Sequence, residues 1–316
     1  MTTNFVILIT SLAALIIFGR LTVRYLSSAA RSFNVSEFSI AFILLAVATS
    51  MPELFISISS AVSKNSDIIM AVTFGSNIIN TTLVIGLAAF LSAGISTAKL
   101  NLRRDIILGT AITMMPILFL LDGTLNFSEG FLLLSVFTFY LYLLYQDKEQ
   151  QVEKIKLPHP GHGLIYSLIT LLFLSGLLLA ARYTVSASAS IAESLNIPQF
   201  LIGLFVLALG TSLPELTLAI QASLARKPGL ALGNIIGTNI ANSSFVIALA
   251  GIAAPLKISL SAPFISTATF LIIAVITLAV FATSKHRLST REGLVLLGFF
   301  VIFIIVSLSA SAISFA

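Results

Sequence analysis

Ten long apolar segments dominate this 316-residue chain and restrict its fold more than any other feature. A helix needs about 20 predominantly apolar residues to cross the hydrocarbon core of a bilayer. By that criterion we predict ten membrane-spanning helices. They cover residues 4–26, 37–62, 68–92, 104–121, 127–146, 163–185, 199–225, 229–254, 262–284 and 290–313. The sequence therefore predicts an all-α integral membrane protein whose main partner is the lipid bilayer.

The composition excludes several other classes of protein. Apolar residues make up 58% of the chain and charged residues 9%, too few charges to cover the surface of a soluble domain of this size. The net charge of +5 is spread over short loops and forms no basic patch, so we predict no nucleic-acid partner. No obligate protein partner is evident either.

The side chains needed for most enzymes and cofactors are missing from the apolar segments. The chain has no cysteine, and its three histidines lie in polar, loop-like stretches. Thiolate or imidazole metal sites within the membrane are therefore not expected. The spans also lack a Ser–Lys constellation, so we predict neither enzymatic activity nor a cofactor.

Two motifs occur twice at one constant spacing. ATSMPE, which ends at Glu53, returns as GTSLPE, which ends at Glu215, and GSNIIN returns as GTNIAN. The second pair ends at Asn80 and Asn242, and both pairs are 162 positions apart. Chance matches would not keep one register, so we interpret the chain as a duplication.

The duplication predicts an inverted repeat. Each copy contains five spans, and an odd number forces the second copy to enter the membrane upside down. We predict a first repeat at 1–146, a linker at 147–161 and a second repeat at 162–316, with broken helices 2, 3, 7 and 8 at the core. Fourteen of the 17 Lys and Arg residues follow odd-numbered spans, which predicts a cytoplasmic linker and extracellular termini.

Only two of the 12 acidic residues, Glu53 and Glu215, lie deep within apolar segments. A charge at the bilayer centre costs at least ~2.5–3.5 kcal/mol, so a matched pair needs a reason. A purely structural, hydrogen-bonded pair is one reading. A cation site built from both repeats is the other.

The neighbouring residues favour the cation site. Thr49 and Ser50 precede Glu53 by four and three positions, so all three share one helix face, and Thr211 and Ser212 stand in the same way before Glu215. The proline before each glutamate disturbs the regular helix, and we expect carbonyls about a turn upstream, those of Ala46, Thr49, Ala208 and Thr211, to turn inward. Ser76, Asn80, Thr238 and Asn242 add hydroxyl and amide oxygens.

An all-oxygen set of ligands suits hard cations such as Ca²⁺ and Na⁺. Two carboxylates balance one Ca²⁺ or two Na⁺, so the two ions would compete for the same groups. Such competition is what an antiporter requires.

The paired motifs resemble the α-repeats of the calcium/cation antiporter superfamily, and within it the sodium/calcium exchanger branch of prokaryotic type. The resemblance implies exchange of Na⁺ for Ca²⁺ by alternating access, normally with extrusion of Ca²⁺, and sliding of spans one and six across the other eight. It implies a cell-membrane location and a central ligand role for Glu53 and Glu215. The implied metal-ligand set is Glu53, Glu215, Asn80, Asn242, Thr49, Ser50, Ser76, Thr211, Ser212, Thr238, Ala46 and Ala208. Some relatives carry Asp where this chain has Asn242.

Two other functions remain open at this stage. A membrane-buried glutamate can carry protons, so exchange of H⁺ for Ca²⁺ or another divalent cation is an alternative. The Thr, Ser and Asn oxygens favour Na⁺, because a proton needs no such cage. A cation channel fits less well, since an inverted repeat with one buried site predicts a carrier.

Overall fold

The computed structural model describes residues 2–32, 50–98, 100–146, 163–226, 228–284 and 286–313, and nearly all of these are helical. The first half of the chain forms α1 (Thr2–Ser32), α2 (Met51–Val62), α3 (Ser66–Ile79), the π-helical segment π1 (Asn80–Val84), α4 (Ile85–Leu91), β1 (Ile95–Ser96), α5 (Leu100–Phe119), a 3₁₀ turn (Leu120–Asp122), β2 (Thr124–Leu125) and α6 (Phe127–Gln146). The second half forms α7 (Gly163–Leu195), α8 (Gln199–Ile202), π2 (Gly203–Leu207), α9 (Ala208–Thr211), α10 (Leu213–Leu224), α11 (Pro228–Ile240), π3 (Ala241–Val246), α12 (Ile247–Ala253), β3 (Leu256–Lys257), α13 (Ala262–Ser284), β4 (Arg287–Leu288) and α14 (Thr290–Ile313).

The predicted membrane spans agree with these helices. Among the described residues, eight helical spans are long and apolar enough to cross a membrane, and Gln199–Thr211 with Leu213–Leu224 forms a ninth that bends by 41°. The short helix α2 is the described part of the second predicted span. Residues 37–49 of that span and the predicted linker at 147–161 lie outside the described residues. The all-α membrane fold is confirmed.

Two helices are longer than the sequence predicts. The spans predicted to end at residues 26 and 185 continue as helix to Ser32 and Leu195. Thr184 and Ser188 of α7 are buried, and α7 packs against both α1 and α2.

The elements of the first half return in the second, 162 positions later. The helix α2 and its counterpart α10 keep this spacing at both ends, and π1 and π3 follow the same plan. β1 pairs antiparallel with β4, and β2 pairs antiparallel with β3. The 20-residue helix α5, about 30 Å long, separates β1 from β2, so the two small sheets lie at opposite ends of the molecule. Since β1 and its counterpart β3 lie at opposite ends, the repeats are inverted.

The two copies of the second motif lie at the centre of the helix bundle. Within Ser66–Leu91 and Pro228–Ala253, 94% and 83% of the residues in the apolar 18-residue stretch are buried, whereas α7 and α14 are mostly open to the surroundings. The breaks predicted in spans three and eight take the form of π1 and π3. The first starts at Asn80, and the second starts at Ala241, one residue before Asn242. Such π-helical turns are rare and often mark functional sites.

Close helix packing supports this centre. A Cβ atom built on Gly293 of α14 would lie 2.8 Å from the Cβ of Ala89 and 3.0 Å from the carbonyl oxygen of Gly86, both on α4. Contacts this short leave no room for a side chain, so the two backbones approach one another as small residues allow in membrane helices. Farther along α14, a Cβ on Gly298 would meet nothing within 4 Å.

Candidate cation site

Glu53 lies in the first turn of α2, with only 1% of its surface exposed. Ser50, with φ −85° and ψ 5°, immediately precedes the helix, and Pro52 stands at its start, where the missing N–H is least costly. The proline therefore begins a new helix within the membrane and presents the carboxylate at its buried N-terminal end. A helix N-terminus stabilises a negative charge.

A hydroxyl from the next helix joins this carboxylate. The Oγ atom of Ser76, on α3, donates to Oε1 of Glu53 across 3.3 Å. The same Oγ lies 3.4 Å from the Oγ1 of Thr211 and 3.4 Å from the carbonyl oxygen of Ala208. Two residues of each repeat thus place four oxygen atoms together in the core.

The carbonyl of Ala208 corrects one detail of the prediction. We expected the proline to free this oxygen, yet it accepts the N–H of Ser212 across 3.1 Å. Pro214 withholds its N–H from the carbonyl four positions earlier, which is that of Gly210. The Ala208 oxygen lies in the cluster because it has a second lone pair to offer, and the Thr211 hydroxyl also donates to it across 3.3 Å.

Asn80 and Asn242 lie at the crossing of the two central spans, and both are fully buried. The amide nitrogen of Asn80 donates to Oδ1 of Asn239 across 3.1 Å. The amide nitrogen of Asn242 donates to Oδ1 of Asn77, also across 3.1 Å. Within the described residues the Oδ1 atoms of Asn80 and Asn242 have no hydrogen-bond partner.

The second glutamate occupies the equivalent place in the other repeat. Glu215 lies in the first turn of α10 with none of its surface exposed, and Thr238 of α11 is buried equally. The hydroxyls of Ser50 and Ser212 are buried, and neither has a partner in the part of the chain that the structure describes. Thr49 and Ala46, the counterparts of Thr211 and Ala208, lie outside the described residues.

Oxygen atoms alone make up this arrangement. No group of three His, Cys, Asp or Glu side chains occurs among the described residues, so a cation held here would need hydroxyl, amide and carbonyl oxygens beside the carboxylates. Uncharged oxygens together with carboxylates suit Ca²⁺, which accepts six to eight oxygens in flexible geometry. Carboxylate, hydroxyl, amide and carbonyl oxygens together are the ligand types that a dehydrated hard cation accepts.

Four residues near the site were not among the predicted ligands. The Oδ1 atoms of Asn77 and Asn239 accept from the asparagines just described, and their own amides donate to Ser243 and Thr81. The signal was present in the sequence, since Asn77 and Asn239 stand three positions before Asn80 and Asn242 on the same helix face. The sequence alone does not show which face of the helix packs against the opposite repeat.

Comparisons with known proteins agree with this site and fold. A sequence model described as sodium/calcium exchanger protein matches residues 3–146 and 165–309. The sodium/calcium exchanger MaX1 of Methanosarcina acetivorans is 29% identical, over 96% of this chain and 98% of the relative. The putative antiporter CaxA of Alkalimonas amylolytica is 35% identical, over 72% of this chain and 74% of the relative.

A solved structure of the sodium-calcium exchanger NCX_Mj, soaked with Na⁺ and Sr²⁺, superposes with a TM-score of 0.66 at 28% sequence identity. The superposition covers 96% of this chain and 98% of that chain. The family match spans both halves of the chain, each with its own copy of the buried glutamate motif. The chain therefore belongs to the sodium/calcium exchanger protein family.

Proposed function

We propose that this protein is a secondary antiporter that exchanges Na⁺ for Ca²⁺ by alternating access. The cluster of Glu53, Ser76, Thr211 and the Ala208 carbonyl carries the proposal, since each repeat supplies two of its oxygens. The names of MaX1 and NCX_Mj describe exchange of the same two ions in similar proteins.

Exchange follows from competition for the same oxygens. Glu53 and Glu215 carry two negative charges, which one Ca²⁺ or two Na⁺ would neutralise. Both glutamates are buried, so a site without an ion would expose two charges to a low-dielectric interior. An empty site is then costly to move between the two sides, and this cost couples the movement of one ion to that of the other.

Alternating access follows from the position of the site between inverted repeats. Inward and outward access require equivalent changes at opposite faces, and repeats related by inversion supply equivalent helices there. The helices α1 and α7 make extensive contact with one another at the edge of the bundle, and α7 also contacts α2. The helices α1 and α7 are spans one and six, which the resemblance to the antiporter superfamily implies slide across the other eight. We assign α1 and α7 this movement.

The excess of Lys and Arg after odd-numbered spans supports a cytoplasmic linker at 147–161 and extracellular termini. The two stretches that match the family, 3–146 and 165–309, support repeats that extend over 1–146 and 162–316. In the membrane of a cell with an inward Na⁺ gradient, this protein would extrude Ca²⁺. The ligand set in this proposal is the one given by the sequence, including Ala46 and Thr49.

Uptake of radioactive Ca²⁺ into proteoliposomes tests the proposal. Vesicles loaded with Na⁺ and diluted into Na⁺-free buffer should accumulate Ca²⁺, whereas vesicles loaded with K⁺ should not. Vesicles with an imposed pH gradient and no Na⁺ form the third sample. Ca²⁺ uptake that the pH gradient drives equally well would replace Na⁺ with H⁺ in the proposal, and flux without any counter-ion would indicate a channel.

A further inference from the structure

An asparagine that binds a cation has an orientation problem. Its side chain ends in one oxygen, which attracts the cation, and one NH₂ group, which repels it. The two differ only by a rotation of 180° about the last bond. A neighbouring group must therefore fix the rotation if Asn80 and Asn242 are to present oxygen.

In this structure each of these amides is held from the opposite repeat. The nitrogen of Asn242 donates to Oδ1 of Asn77, and the nitrogen of Asn77 donates in turn to the hydroxyl of Ser243 across 2.7 Å. Asn77 is itself fixed, because a rotated Asn77 would turn its NH₂ group toward the NH₂ group of Asn242. Each amide in this series donates to the next residue, from Asn242 to Asn77 and from Asn77 to Ser243. Among the described residues, Oδ1 of Asn242 is left without a donor.

The same series of hydrogen bonds occurs on the other side of the pseudo-symmetry axis. The nitrogen of Asn80 donates to Oδ1 of Asn239, and the nitrogen of Asn239 donates to Oγ1 of Thr81 across 2.9 Å. Here Oδ1 of Asn80 is the unused end. Two independent copies of one arrangement, in which the hydroxyl comes from the residue after the held asparagine, show that the pattern is a property of the repeat.

Burial makes these orientations firm. Asn77, Asn80 and Asn242 have none of their surface exposed, and Asn239 has 5%. No bulk water reaches these amides to replace a lost partner, and a buried unsatisfied donor costs about 1–3 kcal/mol. A rotated amide would lose its own bond and leave the neighbouring acceptor empty.

We infer that Asn77 and Asn239 are positioning residues, each of which holds the asparagine of the other repeat so that its oxygen faces the transported cation. The inference rests on the proposed function, which gives Asn80 and Asn242 to the ion. Neither Asn77 nor Asn239 touches the ion itself. Each ligand asparagine therefore depends on a residue in the opposite half of the chain.

Crossed double-mutant cycles on the full chain test this inference. Asn77→Ala alone should raise the Kd for Ca²⁺ about tenfold or more, the range found when groups that orient a metal ligand are removed. In an Asn242→Ala background the same change should have no further effect, because its only target is gone. In an Asn80→Ala background the two effects should multiply, because the side chain of Asn77 holds the amide of Asn242 and that of Asn80 is held by Asn239. Calorimetry with Ca²⁺ on detergent-purified protein gives the Kd, and uptake into proteoliposomes gives KM and Vmax.

A second pair of variants guards against loss of folding. Ser243→Ala removes only the hydroxyl that fixes Asn77 and should raise the Kd for Ca²⁺ about threefold. Ser243→Thr keeps a hydroxyl and should have the Kd of the wild type. Both proteins should elute as the wild type does in size-exclusion chromatography, and Vmax at saturating Ca²⁺ should stay within about twofold. A purely structural role would instead lower the amount of active protein at unchanged KM.

Two outcomes overturn the inference. One is that Asn77→Ala multiplies with Asn242→Ala as fully as with Asn80→Ala, and the other is an unchanged Kd in the Asn77→Ala and Ser243→Ala proteins. Failure of the proposed function looks different. A wild-type protein that binds Ca²⁺ but does not exchange it for Na⁺ removes that function, and the binding cycles still decide the role of Asn77. If the wild-type protein does not bind Ca²⁺, both the proposed function and this inference are wrong.

Discussion

The hydroxyl oxygens of Ser76 and Thr211 lie 3.4 Å apart, although 135 positions separate the two residues in the chain. Thr211 therefore lies beside Ser76, whose hydroxyl donates to Glu53, the glutamate of the other repeat. Replacing Thr211 with valine keeps the shape and removes the oxygen. We expect Thr211→Val to raise the half-saturating Na⁺ concentration about fivefold, which corresponds to ~1 kcal/mol for one lost polar contact. Ca²⁺ uptake measured against increasing internal Na⁺ gives this value.

Thr211→Ser is the matched control, since it keeps the hydroxyl and loses only a methyl group. It should retain half-saturation within about twofold of the wild type. Normal half-saturation in the Thr211→Val protein would show that the oxygen is not needed, which contradicts a ligand role for Thr211.

The two buried glutamates should be the most sensitive positions in the chain. Glu53→Gln and Glu215→Gln each remove one charge at nearly constant volume, and one remaining carboxylate cannot neutralise Ca²⁺. We expect each to lower Na⁺-driven Ca²⁺ uptake at least a hundredfold, in line with the ~3–5 kcal/mol cost of breaking a buried charge pair.

The exposed Glu193, near the end of α7, provides the control for this pair. Glu193→Gln makes the same chemical change away from the site and should leave uptake within about twofold. Substantial uptake by the Glu53→Gln protein, with the normal amount of protein in the vesicles, would rule out the central role of that carboxylate.

The Asn242→Asp change should make the Ca²⁺ half of the cycle sensitive to voltage. With Glu53 and Glu215 ionised, a Ca²⁺-loaded wild-type site has no net charge, whereas a third carboxylate leaves it at −1. Moving one charge through 100 mV is worth ~2.3 kcal/mol. Exchange of Ca²⁺ for Ca²⁺ should therefore respond more than twofold to a 100 mV potential in the variant and hardly at all in the wild type.

This voltage experiment uses vesicles with equal Ca²⁺ on both sides, no Na⁺, and a potential set by K⁺ and valinomycin. Asn242→Ala is the control, because it removes the amide without adding a charge. If exchange by the wild type changes as strongly with potential as exchange by the aspartate variant, the site carries a charge that two glutamates and one Ca²⁺ do not explain.

Two glycines of α14 should respond in opposite ways to alanine. Gly293→Ala places a methyl group 2.8 Å from the Cβ of Ala89, so α4 and α14 must separate, at a cost of about 1–3 kcal/mol. Gly298→Ala meets nothing and gains up to about 1 kcal/mol of helix propensity. Heating samples and recording the remaining monodisperse protein should show a lower midpoint for Gly293→Ala than for the wild type. An equal midpoint in the two variants would contradict the close approach of α4 and α14.

Much of this architecture is readable from the sequence because the membrane imposes simple rules. Span length follows from bilayer thickness, and the inversion follows from an odd number of spans in each repeat. Glu53 and Glu215 stand out because buried charges are rare. The sequence also placed Ser76 and Thr211 in one site, since both belong to repeated motifs.

Other features depend on contacts that no local pattern reveals. The sequence predicts the sixth span to end at residue 185, whereas α7 continues to Leu195 and buries Ser188, Ile191 and Ala192. The carbonyl of Ala208 keeps its backbone hydrogen bond, which hydropathy and motifs could not show. The partners of Asn77 and Asn239 lie in the opposite repeat, so their identity required the register between α3 and α11.

The two small sheets also constrain how the protein is made. β1, at Ile95–Ser96, pairs with β4, at Arg287–Leu288, so this pairing can form only after almost the whole chain has left the ribosome and entered the membrane. Until then the helices of the first repeat lie in the membrane without their final neighbours. Glu53 lacks the second-repeat residues of its cluster, Ala208 and Thr211, until those residues are inserted. Contacts so distant in sequence form slowly. The last two helices to be inserted flank β4, so a chain that ends before α13 would leave β1 without its partner strand.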